Sequence, residues 1–114
     1  MTAHAAEPSP LVPPMPERNP KALRAAIAPY TPRLLPDFDE HWKGAIADTY
    51  GIGPLPAFLA RWWVEFSIAR DPDLDAHVAD LRRRAEAAEY AETKALLEEV
   101  SRIRYSARDL EPGQ

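Results

Sequence analysis

Between Pro36 and Arg70, two aromatic-rich amphipathic segments follow one another across the break Gly51-Ile52-Gly53-Pro54, and this block commits the chain to a helical core. In the first segment Phe38, Trp42, Ala45, Ile46 and Tyr50 recur at three- and four-residue spacing, the period that puts side chains on one face of an α-helix. Its predicted span is Pro36 to Tyr50. Asp37, Asp39 and Glu40 fall in the first turn, where negative charge meets the positive end of the helix dipole, and Gly51 is placed to end it. The second segment runs from Pro54 or Leu55 to about Arg70. Leu55, Phe58, Leu59, Trp62, Phe66 and Ala69 form its stripe, and Trp63, Val64 and Ile68 widen it. A helix apolar over more than half its circumference is central in a bundle or covered by another chain.

Prolines and capping residues divide the rest. Prolines 8, 10, 13, 14 and 16 predict a disordered arm over residues 1–18, because they remove backbone donors and hold φ near an extended value. Pro10-x-x-Pro13 and Pro13-x-x-Pro16 have the spacing of polyproline ligands, which any proline-rich stretch also produces, so a plain leader is the favoured reading. Asn19-Pro20 starts a short helix, Pro20 to Ala28, with Leu23 and Ile27 on one face and Pro29, Pro32 and Pro36 set against continuation. The linker to Leu35 should pack through Tyr30, Leu34 and Leu35. Asp71-Pro72 starts a fourth segment carrying Leu74, Val78, Leu81, Ala85 and Ala88, then Leu96, Val100 and Ile103. No Gly or Pro occurs between residues 73 and 111, so one long helix and two helices broken within Glu89–Lys94 both fit. Asp80 with Arg84 and Glu98 with Arg102 stand in the favourable i,i+4 order of a solvated face. The expected fold is therefore all-α, a small bundle of three to five helices forming a single domain over residues 19–111 behind the proline-rich arm.

A chain of 114 residues suffices for one modest core. The absence of cysteine removes disulfides and thiolate metal sites and suits a reducing cytoplasm. Met1 to Pro20 has neither the basic start nor the apolar run of a secretory signal, and no apolar run approaches the roughly 18 residues of a membrane span. A soluble, cytoplasmic protein is expected. The net charge of −4 is unevenly placed: residues 1–70 hold seven basic and seven acidic groups, whereas residues 71–114 hold seven basic and eleven acidic. An acidic chain with pI near 5.3 is poorly suited to holding DNA alone.

The motifs that suggest chemistry each have a plainer account. Asp71-x-Asp73-x-Asp75 begins like a calcium loop but has Ala76 and Arg82 where an EF-hand needs Gly and Glu, so capping and dipole effects explain it. His4, His41 and His77 have no metal-binding spacing; His41 beside Asp37 and Glu40, or His77 beside Asp73 and Asp80, reads as a solvated helix-face histidine. Ser9, Ser67, Ser101 and Ser106 lie outside any nucleophile elbow, and glycines 44, 51, 53 and 113 build no phosphate loop. No catalytic, cofactor-binding or metal-ligating residue, and no cofactor, is assigned. Arg82-Arg83-Arg84, with Arg61 and Arg70, makes a basic patch offset by Asp80, Glu86 and Glu89. Trp62 and Trp63 point about 100° apart and cannot share one core wall, so Trp62 is placed in the core and Trp63 becomes a partner-facing candidate.

The ordered set Pro20-Lys21-Ala22-Leu23-Arg24-Ala25-Ala26-Ile27, then Phe38-Asp39 with Trp42 and Ala45, then Leu55-x-x-Phe58-Leu59-x-x-Trp62-Trp63, resembles a family of small actinobacterial proteins of unknown function. The resemblance covers roughly Pro16 to Asp75, and the segment from Glu89 onward is its least family-like part. It implies an all-helical fold, a proline-rich leader, no known enzyme activity and, for some members, a likeness to antitoxin partners of small toxins. The expected function is a non-enzymatic protein–protein interaction module, antitoxin-like in neutralising a small basic partner, with Trp63, Glu98, Glu99, Val100 and Ile103 as contact residues. The alternative is a dimeric DNA-binding transcriptional regulator that brings two Arg82–Arg84 patches onto adjacent grooves. Neither reading involves a membrane, and both leave a homodimer open.

Overall fold

Side-chain caps and prolines decide where most of the helices begin. The computed structural model describes residues 12–114 and contains five α-helices, with no strand among the described residues. Helix α1 (Pro20–Tyr30) starts at Asn19, whose Oδ1 accepts the Ala22 N–H at 2.8 Å, and buries Leu23 and Ile27. It passes the predicted stop at Ala28. Pro29 cannot donate to the turn behind it, but Thr31 N–H still reaches Ile27 O at 2.9 Å, so the last turn survives the loss of one bond.

A 3₁₀ turn at Pro32–Leu34 leads into α2 (Leu35–Trp42). The expected continuation as α-helix to Tyr50 is wrong: Lys43–Ala47 is a π-helical turn, closed by Asp48 N–H donating to Lys43 O at 2.8 Å, five residues back. The wider turn rotates the residues beyond it off the Phe38 stripe. Tyr50, predicted to lie on that stripe, is 97% exposed. With φ of 55° it is also the left-handed residue after the turn, the role expected of Gly51.

Helix α3 (Leu55–Ala69) has its predicted span and serves two cores at once. Phe58, Trp62, Trp63 and Phe66 pack with Met15, Leu23, Ile27 and Phe38, and the edges of the Phe38, Phe58 and Trp62 rings meet at 5.1–6.4 Å between centroids. Val64 and Ile68 pack with Val78, Leu81, Ala85, Leu96 and Val100. The wide apolar circumference is thus covered from both sides within one chain.

Helix α4 (Pro72–Ala87) is capped by Asp71, whose Oδ1 accepts the Asp73 and Leu74 N–H groups at 3.1 and 3.2 Å. Helix α5 (Tyr90–Ala107) folds back along it. The chain turns through Ala88 and Glu89, both extended at ψ 162° and 157°, without Gly or Pro. The single O–H of Thr93 lies 2.8 Å from Ala85 O and 3.2 Å from Ala88 O, so the first turn of α5 supplies a donor to the nearer carbonyl at the end of α4. This side-chain cap replaces the breaker residue a sequence reading looks for.

The arm expected over 1–18 needs a correction as far as it is described; residues 1–11, with Pro8, Pro10 and His4, lie outside the described residues. Met15 is 2% exposed in the first core, and its carbonyl accepts the Gly113 N–H at 2.8 Å. Arg70 donates to Pro13 O at 3.0 Å and to Gln114 O at 2.9 Å, clasping both ends of the described chain to the end of α3. The packed body therefore reaches beyond 19–111 at both sides. Among the described residues, no helix is long and apolar enough to cross a membrane.

If the Thr93 hydroxyl ends α4, Thr93→Val should lower stability by about 1 kcal/mol with helical content unchanged. Urea denaturation followed by circular dichroism checks this; an unshifted midpoint would show that the turn at Ala88–Glu89 forms without the cap.

Candidate protein-interaction surface

The residues expected to meet a partner separate once the chain is folded. Trp63 is 0% exposed: its Nε1–H donates to Leu110 O at 3.1 Å, and the Arg18 guanidinium lies 4.8 Å from its ring centroid. Contrary to the expectation that they could not share a core, Trp62 and Trp63 lie in one cluster, with Met15 and Leu110 among the residues that cover it, so Trp63 is a core residue and not a partner-facing one. Val100 is buried in the second core and Ile103 is half-buried against it. Val100 therefore leaves the set of residues a partner can reach. Glu98 and Glu99, adjacent in sequence, fall on opposite flanks of α5.

On the Glu99 flank, a groove of about 550 Å³ is bordered by Arg70, Leu74, Glu99, Arg102, Ile103 and Leu110. Its charged side chains already have hydrogen-bond partners. Glu99 is ion-paired with Arg102, and Arg70 donates to Ser67, Pro13 and Gln114 oxygens. Burial pushes the Arg70 guanidinium below its ordinary value, with Asp71 acting against the shift.

The Glu98 flank is more open. Tyr90, Lys94, Leu97, Glu98, Ser101 and Tyr105 recur at helical spacing, and Tyr90, Leu97 and Tyr105 are 83%, 46% and 67% exposed. The first part of this strip is a shallow groove of about 400 Å³. It leads to a second, of about 330 Å³, where α5 meets Ala60, Arg61 and Val64 of α3. That end is basic: Arg61 lies over the Trp62 ring, Arg108 lies over the Tyr105 ring, and Arg104 pairs with Glu65 at 2.7 Å. The other end, the tip of the α4–α5 hairpin, carries exposed Glu86, Glu89 and Glu92, none ion-paired among the described residues. Sequence reasoning passed over Tyr90, Leu97 and Tyr105. The available signal was that these large residues stand off the Leu96–Val100–Ile103 core stripe.

Other sequence candidates are tied up in structural roles. Arg83 and Arg84 both pair with Asp80. Asp71 caps α4, and Asp75 pairs with Arg33 at 2.6 Å. A groove of about 580 Å³ between α1 and α2, floored by Phe38 and Trp42, has the two-pronged Arg24–Asp39 pair on its rim at 2.8 Å per bond. Arg24 holds the Asp39 carboxyl below its ordinary value. His41, expected to be a solvated histidine, is half-buried against Phe58, and its Nδ1 accepts the Trp62 Nε1–H at 2.9 Å. Burial and the neighbouring Arg61 lower its pKa, favouring the neutral ring that this bond requires.

The folded class is thus an all-α bundle built around a two-sided central helix. The chain belongs to a family of unknown function (DUF6247), whose model matches residues 12–107. The match begins before Pro16 and continues beyond Asp75, so the α4–α5 hairpin, including the segment after Glu89, is part of the family's common body. Comparison with curated proteins and with solved structures gives no match.

Two outcomes follow from these contacts. Trp63→Ala should cost about 3–5 kcal/mol in urea unfolding, as for a core aromatic, whereas a loss below about 1 kcal/mol would return Trp63 to the surface. For His41, the folded-state pKa lies below the unfolded value near 6.5, so the unfolded chain binds the extra proton first. Its contribution is complete above about pH 6.5 and is lost as pH falls toward the folded pKa. The drop in urea midpoint between about pH 7.5 and pH 5 should therefore shrink in His41→Gln; an equal drop in both proteins would rule this contribution out.

Proposed function

We propose that the chain is a non-enzymatic protein–protein interaction module that docks through the Glu98 flank of α5 and the acidic hairpin tip onto a basic protein surface. The observation that carries this reading is the exposure of Tyr90, Leu97 and Tyr105 along one flank of a helix whose opposite side fills a core. Tyrosine gives large contact area at small entropic cost, and a shallow strip suits a macromolecule better than an enclosed small substrate. Glu86, Glu89 and Glu92 beside Tyr90 supply the charge that would steer a basic partner to the strip. An antitoxin-like neutraliser of a small basic protein, acting in the cytoplasm, is the specific role this charge pattern suits. The DNA-binding alternative has less behind it, since two of the three arginines it needs are engaged by Asp80.

Purification of the tagged chain from its native cells, beside Tyr90→Ala and Leu97→Asp, tests the reading. A basic protein held in near-equal amount by the parent chain and lost from both variants is expected. Undiminished recovery of that protein with both variants would place the contact elsewhere and remove the strip from the proposal; DNA in its place would favour the regulator.

A further inference from the structure

The same strip has opposite charge at its two ends, and this makes it complementary to itself. Resting on the reading of this strip as a docking surface, we infer that the basic surface it meets is that of a second copy of this chain, in place of a separate small basic protein, paired with α5 antiparallel to α5 about a twofold axis near Leu97. Tyr90 and Tyr105 are 15 residues apart on α5, about 22 Å along the helix at about 1.5 Å per residue. A twofold axis midway between them puts each exposed Tyr90 over the Tyr105 end of the other copy, where the groove between α3 and α5 is bordered by Ala60, Arg61 and Arg108.

The charges follow the same register. Glu89 at the acidic tip of one copy comes beside Arg108 of the other, and Lys94 comes beside Ser101 and Glu98 of the other. Leu97 and Glu98 of each copy meet their counterparts at the axis, where Leu97 supplies the apolar contact and each Glu98 carboxylate is offset by Lys94 of the other copy. A parallel pairing would oppose tip to tip and arginine to arginine, so electrostatics select the antiparallel one. Each copy contributes one flank of a single helix, so the pair is reversible and depends on concentration.

Sedimentation velocity from about 1 μM to about 500 μM should show a monomer–dimer equilibrium in the parent chain. Leu97→Asp should raise the dissociation constant at least about tenfold with unchanged circular dichroism. The sharper test uses charge. Glu89→Lys and Arg108→Glu should each weaken self-association, because each homodimer then opposes like charges at both ends. Mixed in equal amounts they should pair again, since in the mixed dimer Lys meets Glu at one end and Glu89 meets Arg108 at the other. A purely structural defect would not be rescued by mixing. A parent chain monomeric throughout, a dimer indifferent to Leu97→Asp, or variants that stay apart when mixed would each overturn the inference. Should the chain remain monomeric while Leu97→Asp abolishes capture of a basic cellular protein, the inference falls and the proposed function stands; loss of neither property would remove both.

Discussion

Burial of α3 on two sides is the constraint that the other elements answer to. Four large aromatic residues, Phe58, Trp62, Trp63 and Phe66, and the aliphatic pair Val64 and Ile68 cannot share one wall of a helix, so the chain must supply two. Helices α1 and α2 with Met15 make one, and the α4–α5 hairpin makes the other. At about 1.5–3 kcal/mol per fully buried large side chain, the transfer of these residues from water is a leading contribution to stability. Each tryptophan also brings a polar N–H inside. The Trp62 N–H donates to His41 Nδ1 and the Trp63 N–H to Leu110 O, and among the described residues no buried side-chain nitrogen or oxygen lacks a partner.

The need to cover Trp63 also explains the chain ends. Leu110 accepts the indole N–H, Arg18 stacks on the ring, and Arg18 and Arg70 donate to Arg108, Pro13 and Gln114 oxygens nearby. The backbone bond from Gly113 to Met15 closes the clasp. A proline-rich stretch has few amide donors to lose, which suits it to lying over a packed helix end with its carbonyls serving as acceptors. With both sides of α3 covered from within, the exposed large apolar residues among the described ones are those on the flank of α5 together with Tyr30, Tyr50 and Ile52. On α5 they sit between charges of opposite sign, the combination that distinguishes a docking strip from scattered exposed side chains.

Much of the helical plan could be read directly from the residues, and the departures have identifiable physical sources. Asn19, Asp71 and the 3.6-residue stripe of α3 acted locally, so α1, α3 and α4 begin where their caps and prolines put them. The π turn at Lys43–Ala47 was not legible, because it is a one-residue adjustment of hydrogen bonding within a sequence that still has helical spacing. The break at Ala88–Glu89 was only half legible: the weak apolar pattern marked the place, but the Thr93 bond that ends α4 joins residues brought together by the fold. The candidate surface was the least legible part. Glu98 and Glu99 look like one acidic unit in sequence and lie on two flanks in space, about 100° apart around the helix.

The sequence by itself determined that this is an all-α protein with an aromatic central helix, since side-chain periodicity, proline and capping act within a few residues of one another. Tertiary structure decided which apolar residues are spent on cores and which remain for a partner. Val100 stands on the Leu96–Ile103 stripe that Tyr90, Leu97 and Tyr105 leave, but Trp63 is as apolar in sequence as those three and only its tertiary contacts put it inside. What separates Trp63 from them is whether a second element, an antiparallel helix or a returning chain end, happens to cover that side, and that depends on contacts between residues far apart in the chain.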